Sequence, residues 1–258
     1  MDNTRDKVSG IYFFKIDLFD IGIINNIQMK KQDLIFILCV VACFMPFFLS
    51  EDVFNFYVNY NKAHGMITSF IKFAFLATLG EVIGLRMKTG AYNQKGFGIL
   101  PRAIVWGFLG LTIKLAFVIF ATGTPIFLNY LGLDGATEVM KGAFSSEKLL
   151  VAFAISACMN LIYAPVMMTL HKITDIHIVD NGGTVGGLLK PIQFSNIFQK
   201  LDWGVQWNFV FKKTIPFFWI PAHTFTFLLP PDYQVLFAAA LGIVLGVLLA
   251  VASLKSAK

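Results

Sequence analysis

The sequence predicts an all-α integral membrane protein: a helical bundle of about six transmembrane helices, five to six in all, with both termini cytoplasmic. Three observations carry that fold class. First, 57% of the 258 residues are hydrophobic and only 14% are charged, where a soluble domain would carry about 25% charged residues. Second, the apolar residues form runs near or above the roughly 20 residues that a helix needs to cross about 30 Å of hydrocarbon. Third, the cations fall almost wholly into alternate connections, as they do when positive loops stay in the cytoplasm. The net charge of +6 therefore reads as topology. No basic cluster with interleaved aromatics stands apart from the apolar runs, so a nucleic-acid partner is not expected and the bilayer is.

Taken in order, residues 1–28 mix charges with isoleucine and phenylalanine and show neither a helical nor a strand period. Met29-Lys30-Lys31-Gln32-Asp33 then precedes an apolar run and looks like a bacterial start site. Residues 1–28 are accordingly expected to be an N-terminal extension outside the native protein, and 29–258 a single transmembrane domain. The run 34–49 is short for a span. The core of a secretory signal is the alternative, but no small-x-small cleavage site follows it, so an uncleaved anchor is expected. Five further spans are expected at 65–86, 103–129, 149–170, 208–229 and 234–254. With the N-terminus inside, the inner side receives Lys30, Lys31, Arg86, Lys88, Lys95, Arg102, Lys172, Lys190, Lys200, Lys212, Lys213, Lys255 and Lys258, whereas the outer side receives Lys62, Lys141 and Lys148.

The last two spans are joined by Pro230-Pro231-Asp232-Tyr233, a connection short enough to set them side by side and antiparallel. Pro216 and Pro221 remove backbone donors from the first arm and are expected to bend it. Trp219, His223 and Phe227 recur on one face of that arm. In the second arm Ala238, Gly242, Gly246 and Ala250 recur every four residues, a small-residue seam that lets another helix approach closely.

Polar residues inside apolar spans are costly and face the bundle interior or water. Glu81 lies beside Gly80 and Gly84, a Gly-x-x-x-Gly face, and Lys114 shares a face with Gly107 and Gly110. A Glu81–Lys114 pair across neighbouring helices is therefore expected, either fixing helix register or lining a solute path. Lys72 is near enough to the outer end to snorkel outward. Ser156, Asn160 and Tyr163 share one face of the fourth span, and His223 is a further interior candidate. A lone histidine on such a face serves packing more often than proton relay. The 171–206 connection is the longest soluble piece; His171 and His177 are expected to be solvated, and the glycine-rich 180–187 patch to be a hinge, since no Lys-Ser/Thr completes a phosphate loop. Cys39, Cys43 and Cys158 lie in apolar runs without metal spacing. Neither a nucleophile–base pair nor a metal cluster is visible, so no enzyme activity, cofactor or metal is expected.

Trp219, Pro221, Phe227, Pro231, Tyr233 and Val235-Leu236-Phe237-Ala238 resemble the signature of the family of Mpv-seventeen and the twenty-two-kilodalton peroxisomal membrane protein. The spacing from Trp to Phe to Pro is that family's, although Pro221 sits one place late, Thr226 stands where Asn is usual, and Gln234 where Arg is usual. The resemblance extends over about 65–254: Gly80-Glu81 is similar to the family's Gly-Asp, Gly110 to its Gly-Pro glycine, and Asn160 through Ala164-Pro165 to its Asp-Gln…Ala-Pro. It implies an integral membrane protein forming a channel or pore for small polar solutes, with Glu81, Lys114, Asn160, Tyr163 and His223 as interior candidates. The competing expectation is a non-transporting scaffold or assembly protein, with homo-oligomers possible in either case. The bacterial cytoplasmic membrane is the expected location, or the mitochondrial inner or peroxisomal membrane in a eukaryote.

Overall fold

The computed structural model describes the backbone of residues 30–256 and side chains up to residue 247. The expected extension at 1–28 and the start at Met29 lie outside the described residues. Every described element is a helix. The chain divides at Ser50 into two units, 1–50 and 51–258, which are taken separately.

The first unit contributes α1 (Lys31–Leu49). The Asp33 carboxylate accepts from the backbone N–H of Lys30 at 2.7 Å and ties down the first turn. Beyond Asp33 the helix holds no charge, and its apolar side chains are exposed on all sides, with Leu38 at 58% and Phe48 at 85%. A helix apolar all round belongs in lipid or in a protein core.

The second unit opens with α2 (Glu51–Ala63), α3 (Gly65–Thr89) and α4 (Ile99–Tyr130), followed by a short α5 (Ala136–Val139) and then α6 (Ser146–Asp180). Three short helices follow: α7 (Val185–Leu188), α8 (Phe194–Lys200) and α9 (Trp203–Val205). The chain then winds as a wider π-helix over Gln206–Trp219, tightens into α10 (Ile220–Leu228), and ends in α11 (Pro231–Ser256). Among the described residues four helices, α1, α3, α4 and α6, are long and apolar enough to cross a membrane.

At 1.5 Å per residue α4 and α6 run to about 48 and about 52 Å, well beyond the roughly 30 Å of a hydrocarbon core. Their ends therefore project from it. This corrects the boundary expected near residue 170. Nothing in 171–180 breaks a helix, and α6 continues until Asn181-Gly182-Gly183, where both glycines take positive φ, 75° and 69°. Residues 171–180 are thus helical wall, not loop.

The second unit is inside-out relative to a water-soluble bundle. Ser156, Asn160 and Thr226 are at most 1% exposed, while Leu161, Ile162 and Val166 are 60% exposed or more. Apolar residues outward and polar residues inward is the order that lipid imposes.

The expected glycine seam is present between α3 and α11. A Cβ on Gly80 would lie 2.7 Å from the Gly242 carbonyl oxygen, and one on Gly246 would lie 2.6 Å from that of Gly80; Gly84 faces Gly246 at 3.4 Å. Only glycine allows this approach. Ala250 lies outside the described side chains. Against α4, Gly110 meets Phe73 and Ser69, where a Cβ would come within 2.7 Å of Phe73 Cβ, and Gly107 receives the Phe70 ring.

The turn between α10 and α11 falls where expected. Its two arms choose different principal partners, α10 packing on α6 and α11 on α3, while Leu241 joins Trp219, Ile220, Ile215 and Ala164 in one apolar cluster. The α10 arm is not merely bent by its prolines. Pro216 lies within the π-helical stretch and Pro221 opens α10. The missing N–H of each is absorbed by a change of helical winding.

Candidate functional site: a charged cluster and a neutral pair on one cavity

Glu81 on α3 points toward the end of the bundle that carries Arg86, Arg102 and Lys172. There it meets Arg102 and Trp106 of α4 and His171 of α6. Arg102 Nη1 donates to Glu81 Oε2 at 2.6 Å and also reaches Asp175 Oδ1. Trp106 Nε1 donates to Glu81 Oε1 at 2.8 Å, and His171 Nε2 lies 3.0 Å from the same oxygen. His171 Nε2 is 3.7 Å from Asp175 Oδ1, one helical turn along α6. Arg102 is held in turn by the Phe97 carbonyl, which accepts from its Nε at 2.8 Å, and by the Phe97 ring. The His171 and Trp106 rings lie against each other, tilted by 39°, with centroids 4.3 Å apart.

Two expectations fail here. Glu81 does not pair with Lys114, because the antiparallel register of α3 and α4 sets Arg102 opposite Glu81 and Lys114 about three turns away, opposite Gly65. Lys114 instead extends along α3 to within 3.7 Å of where a Gly65 Cβ would stand, at the far end of that helix. It does face α3, as its glycine neighbours suggest. His171 and His177 are not solvated either. His171 belongs to the cluster, and His177 is 1% exposed, with Nε2 3.2 Å from the Leu188 carbonyl oxygen and Nδ1 beside Asn181. Part of the glycine patch makes a close contact: a Cβ on Gly183 would sit 2.6 Å from the Gly96 backbone, and Thr184 caps the next turn by accepting from Gly187 N–H.

Glu81, His171 and Asp175 place one ligand atom each within 4.8 Å of one another, a set whose spacing is invisible in sequence because Glu81 is on another helix. Arg102 Nη1 already occupies the position between the two carboxylates. A metal cation there would have to displace a guanidinium.

Deeper in the bundle lies a neutral pair. Asn160 Nδ2 and Oδ1 lie 3.0 and 3.2 Å from His223 Nδ1, and the Asn160 amide also donates to the Ser156 carbonyl at 2.8 Å. Ser156 Oγ crosses to the Ile220 carbonyl at 2.7 Å. Trp219, Phe117 and Phe227 surround this pair. Tyr163 shares a hydroxyl–hydroxyl bond of 2.7 Å with Thr112 of α4.

One cavity of about 280 Å³ joins the two sites. Its wall includes Glu81, Trp106 and His171 at the basic end and Asn160, Trp219 and His223 farther in, with Tyr163, Gly242 and Gly246 between them and mostly carbon elsewhere. Of the other singled-out residues, Pro165 lies within α6, Phe227 is 2% exposed, Pro231 opens α11, and Tyr233 is exposed at 42%. Lys72 is 7% exposed. It bonds Asn61 of α2 at 2.5 Å and lies over the Tyr57 ring, so it is held by protein rather than snorkelling freely. Arg102, Trp106, His171 and Asp175 are site residues that the sequence pattern does not single out. Their only signal is an Arg-x-x-x-Trp and a His-x-x-x-Asp spacing, each one helical turn, at the basic ends of neighbouring spans.

No protein-family profile, no curated protein and no solved structure matches this chain.

Proposed function

We propose that the chain is a multi-span membrane protein that passes or binds small solutes, a channel of the Mpv-seventeen type, with about six spans and both ends on the cytoplasmic side. The observation that carries this reading is the cavity that runs from the Glu81–Arg102–His171 cluster to the Asn160–His223 pair. A bundle built only to be rigid would close such a void, since interiors are packed to near-crystal density. The cluster at its basic end bridges α3, α4 and α6, so a change in its ion pairs would open or close that end. The Glu81→Gln variant in sealed liposomes is the direct probe of this end.

A second reading, a scaffold without transport, is favoured by the completeness of the cluster: each Glu81 oxygen already has a partner within the chain. Cysteine accessibility separates the two. In a variant lacking Cys39, Cys43 and Cys158, Val210→Cys on the cavity wall should react with a membrane-impermeant thiol reagent, and the reaction should slow release of small solutes from liposomes. Absence of labelling together with tight vesicles would favour the scaffold.

A further inference from the structure

The hydrogen-bonding capacity left open on the cavity wall is lopsided. The Glu81 and Asn160 acceptors are taken, the first by Arg102, Trp106 and His171 and the second by His223. Two donors are not. Trp219 Nε1 and Gln206 Nε2 belong to side chains more than nine-tenths buried, 9% and 5% exposed, and neither N–H has a partner. Both residues line the cavity. An unpaired buried N–H costs about 1–3 kcal/mol, and two on the wall of one void are a departure from the rule that buried donors are satisfied. Gln206 also keeps its own amide oxygen, and a half-turn of the amide exchanges oxygen for nitrogen. By their places along the π-helix, Gln206 lies near the basic end and Trp219 near His223.

The geometry points to a substrate class for this cavity: a small, uncharged molecule with an apolar body and a carbonyl-type hydrogen-bond acceptor that takes up the Trp219 or Gln206 N–H. This deepens the solute-passage reading and rests on it for its meaning in the membrane. Size agrees, since about 280 Å³ equals roughly nine water volumes of about 30 Å³, room for a single-ring organic molecule. Charge agrees as well. An anion would meet the Glu81 carboxylate on the wall and a cation would meet Lys172, so neither sign is favoured. A strongly hydrated solute would leave its own donors unmatched against a carbon wall.

Three probes of nearly one shape decide the matter, read by fluorine NMR on the full chain in micelles: para-fluoroacetophenone, para-fluoroethylbenzene and para-fluorobenzoate. The ketone should bind about tenfold more tightly than the hydrocarbon, the worth of one buried hydrogen bond. Trp219→Phe or Gln206→Leu should bring the ketone down toward the hydrocarbon while leaving hydrocarbon binding unchanged. A merely structural role for these side chains would weaken both probes alike. Equal binding of ketone and hydrocarbon, preferential binding of benzoate, or no binding by any probe would overturn the inference. Solute release from liposomes without ketone binding would sink this inference and leave the channel reading standing; ketone binding with tight vesicles would do the reverse.

Discussion

The two polar sites on the cavity differ in kind. The Glu81–Arg102–His171–Asp175 cluster holds formal charges, whereas the Ser156–Asn160–His223 set is built from an alcohol, an amide and an imidazole. Both join segments that are distant in the chain. Depth separates them. Asn160 lies about 16 Å along α6 from His171, farther from the basic loops and nearer the middle of the apolar run. Charge is tolerated at the end of the bundle, where arginines and lysines gather, and is replaced by neutral hydrogen bonding where no such company exists. The same rule explains Lys114. Sited in the middle of α4, it faces the Gly65 end of α3, well away from Glu81.

The comparison makes its strongest claim about Arg102. Replacing it by methionine would keep most of the side chain's bulk and leave the Glu81 and Asp175 carboxylates facing each other. Breaking a buried ion pair from one side typically costs about 3–5 kcal/mol. Arg102→Met should therefore destabilise the protein more than any single substitution at the neutral pair, measured as denaturant midpoint in micelles. A smaller loss than those variants show would reverse the ranking of the two sites. The companion variant Asp175→Asn should cost less, because Arg102 keeps Glu81.

At the neutral pair the expected losses are moderate and the two single variants should not add. Asn160→Leu strands the His223 Nδ1, at about 1–3 kcal/mol. The double variant Asn160→Leu/His223→Phe removes both partners and restores an apolar contact with Phe117 and Trp219. Its loss should be smaller than the sum of the singles by about 0.5–3 kcal/mol, the range of coupling between residues in contact. Additivity within about 0.5 kcal/mol would mean that the pair is not an interacting unit.

Legibility in the sequence follows the range of the interaction. The four long apolar helices among the described residues can be read because a run of apolar residues is a local property, whereas the expected spans at 208–229 and 234–254 are not among them. The α3–α11 seam can be read because Gly80/Gly84 and Gly242/Gly246 each announce a close-packing face within one helix. The inward face of Ser156, Asn160 and Tyr163 is likewise a one-helix pattern. The partner of Glu81 is not readable in this way. Three basic side chains, Arg102, Lys114 and His171, stand on neighbouring helices, and the choice among them depends on the relative height of α3, α4 and α6. Mid-span Lys114 has the greatest need of a partner, but helix offset puts Arg102 opposite the carboxylate. The continuation of α6 through His171 and Asp175 is hidden for a different reason: a hydropathy boundary marks where lipid contact ends, not where a helix ends. The π-helical winding of Gln206–Trp219 has no sequence signal beyond Pro216, because the prolines predict only that the regular hydrogen-bond ladder must fail somewhere.

The smallest expected effect tests whether a third contact, Thr112–Tyr163, belongs with either site. These hydroxyls meet at 2.7 Å between α4 and α6, at a height between the cluster and the neutral pair. Thr112 Oγ1 also has the Leu109 carbonyl as a partner at 2.8 Å, and Thr112 itself is exposed. Thr112→Val removes the hydroxyl while keeping the β-branched shape. The Tyr163 hydroxyl loses its partner, yet with Thr112 on the exposed surface it is not sealed into the interior as Asn160 would be. The loss should therefore stay near the low end for a hydrogen bond, about 0.5 kcal/mol, and below that of Asn160→Leu in the same denaturation assay. A loss comparable to Asn160→Leu would show that the wall between α4 and α6 is as tightly closed at Tyr163 as it is around His223. The polar sites would then form one continuous column instead of two sites separated by depth.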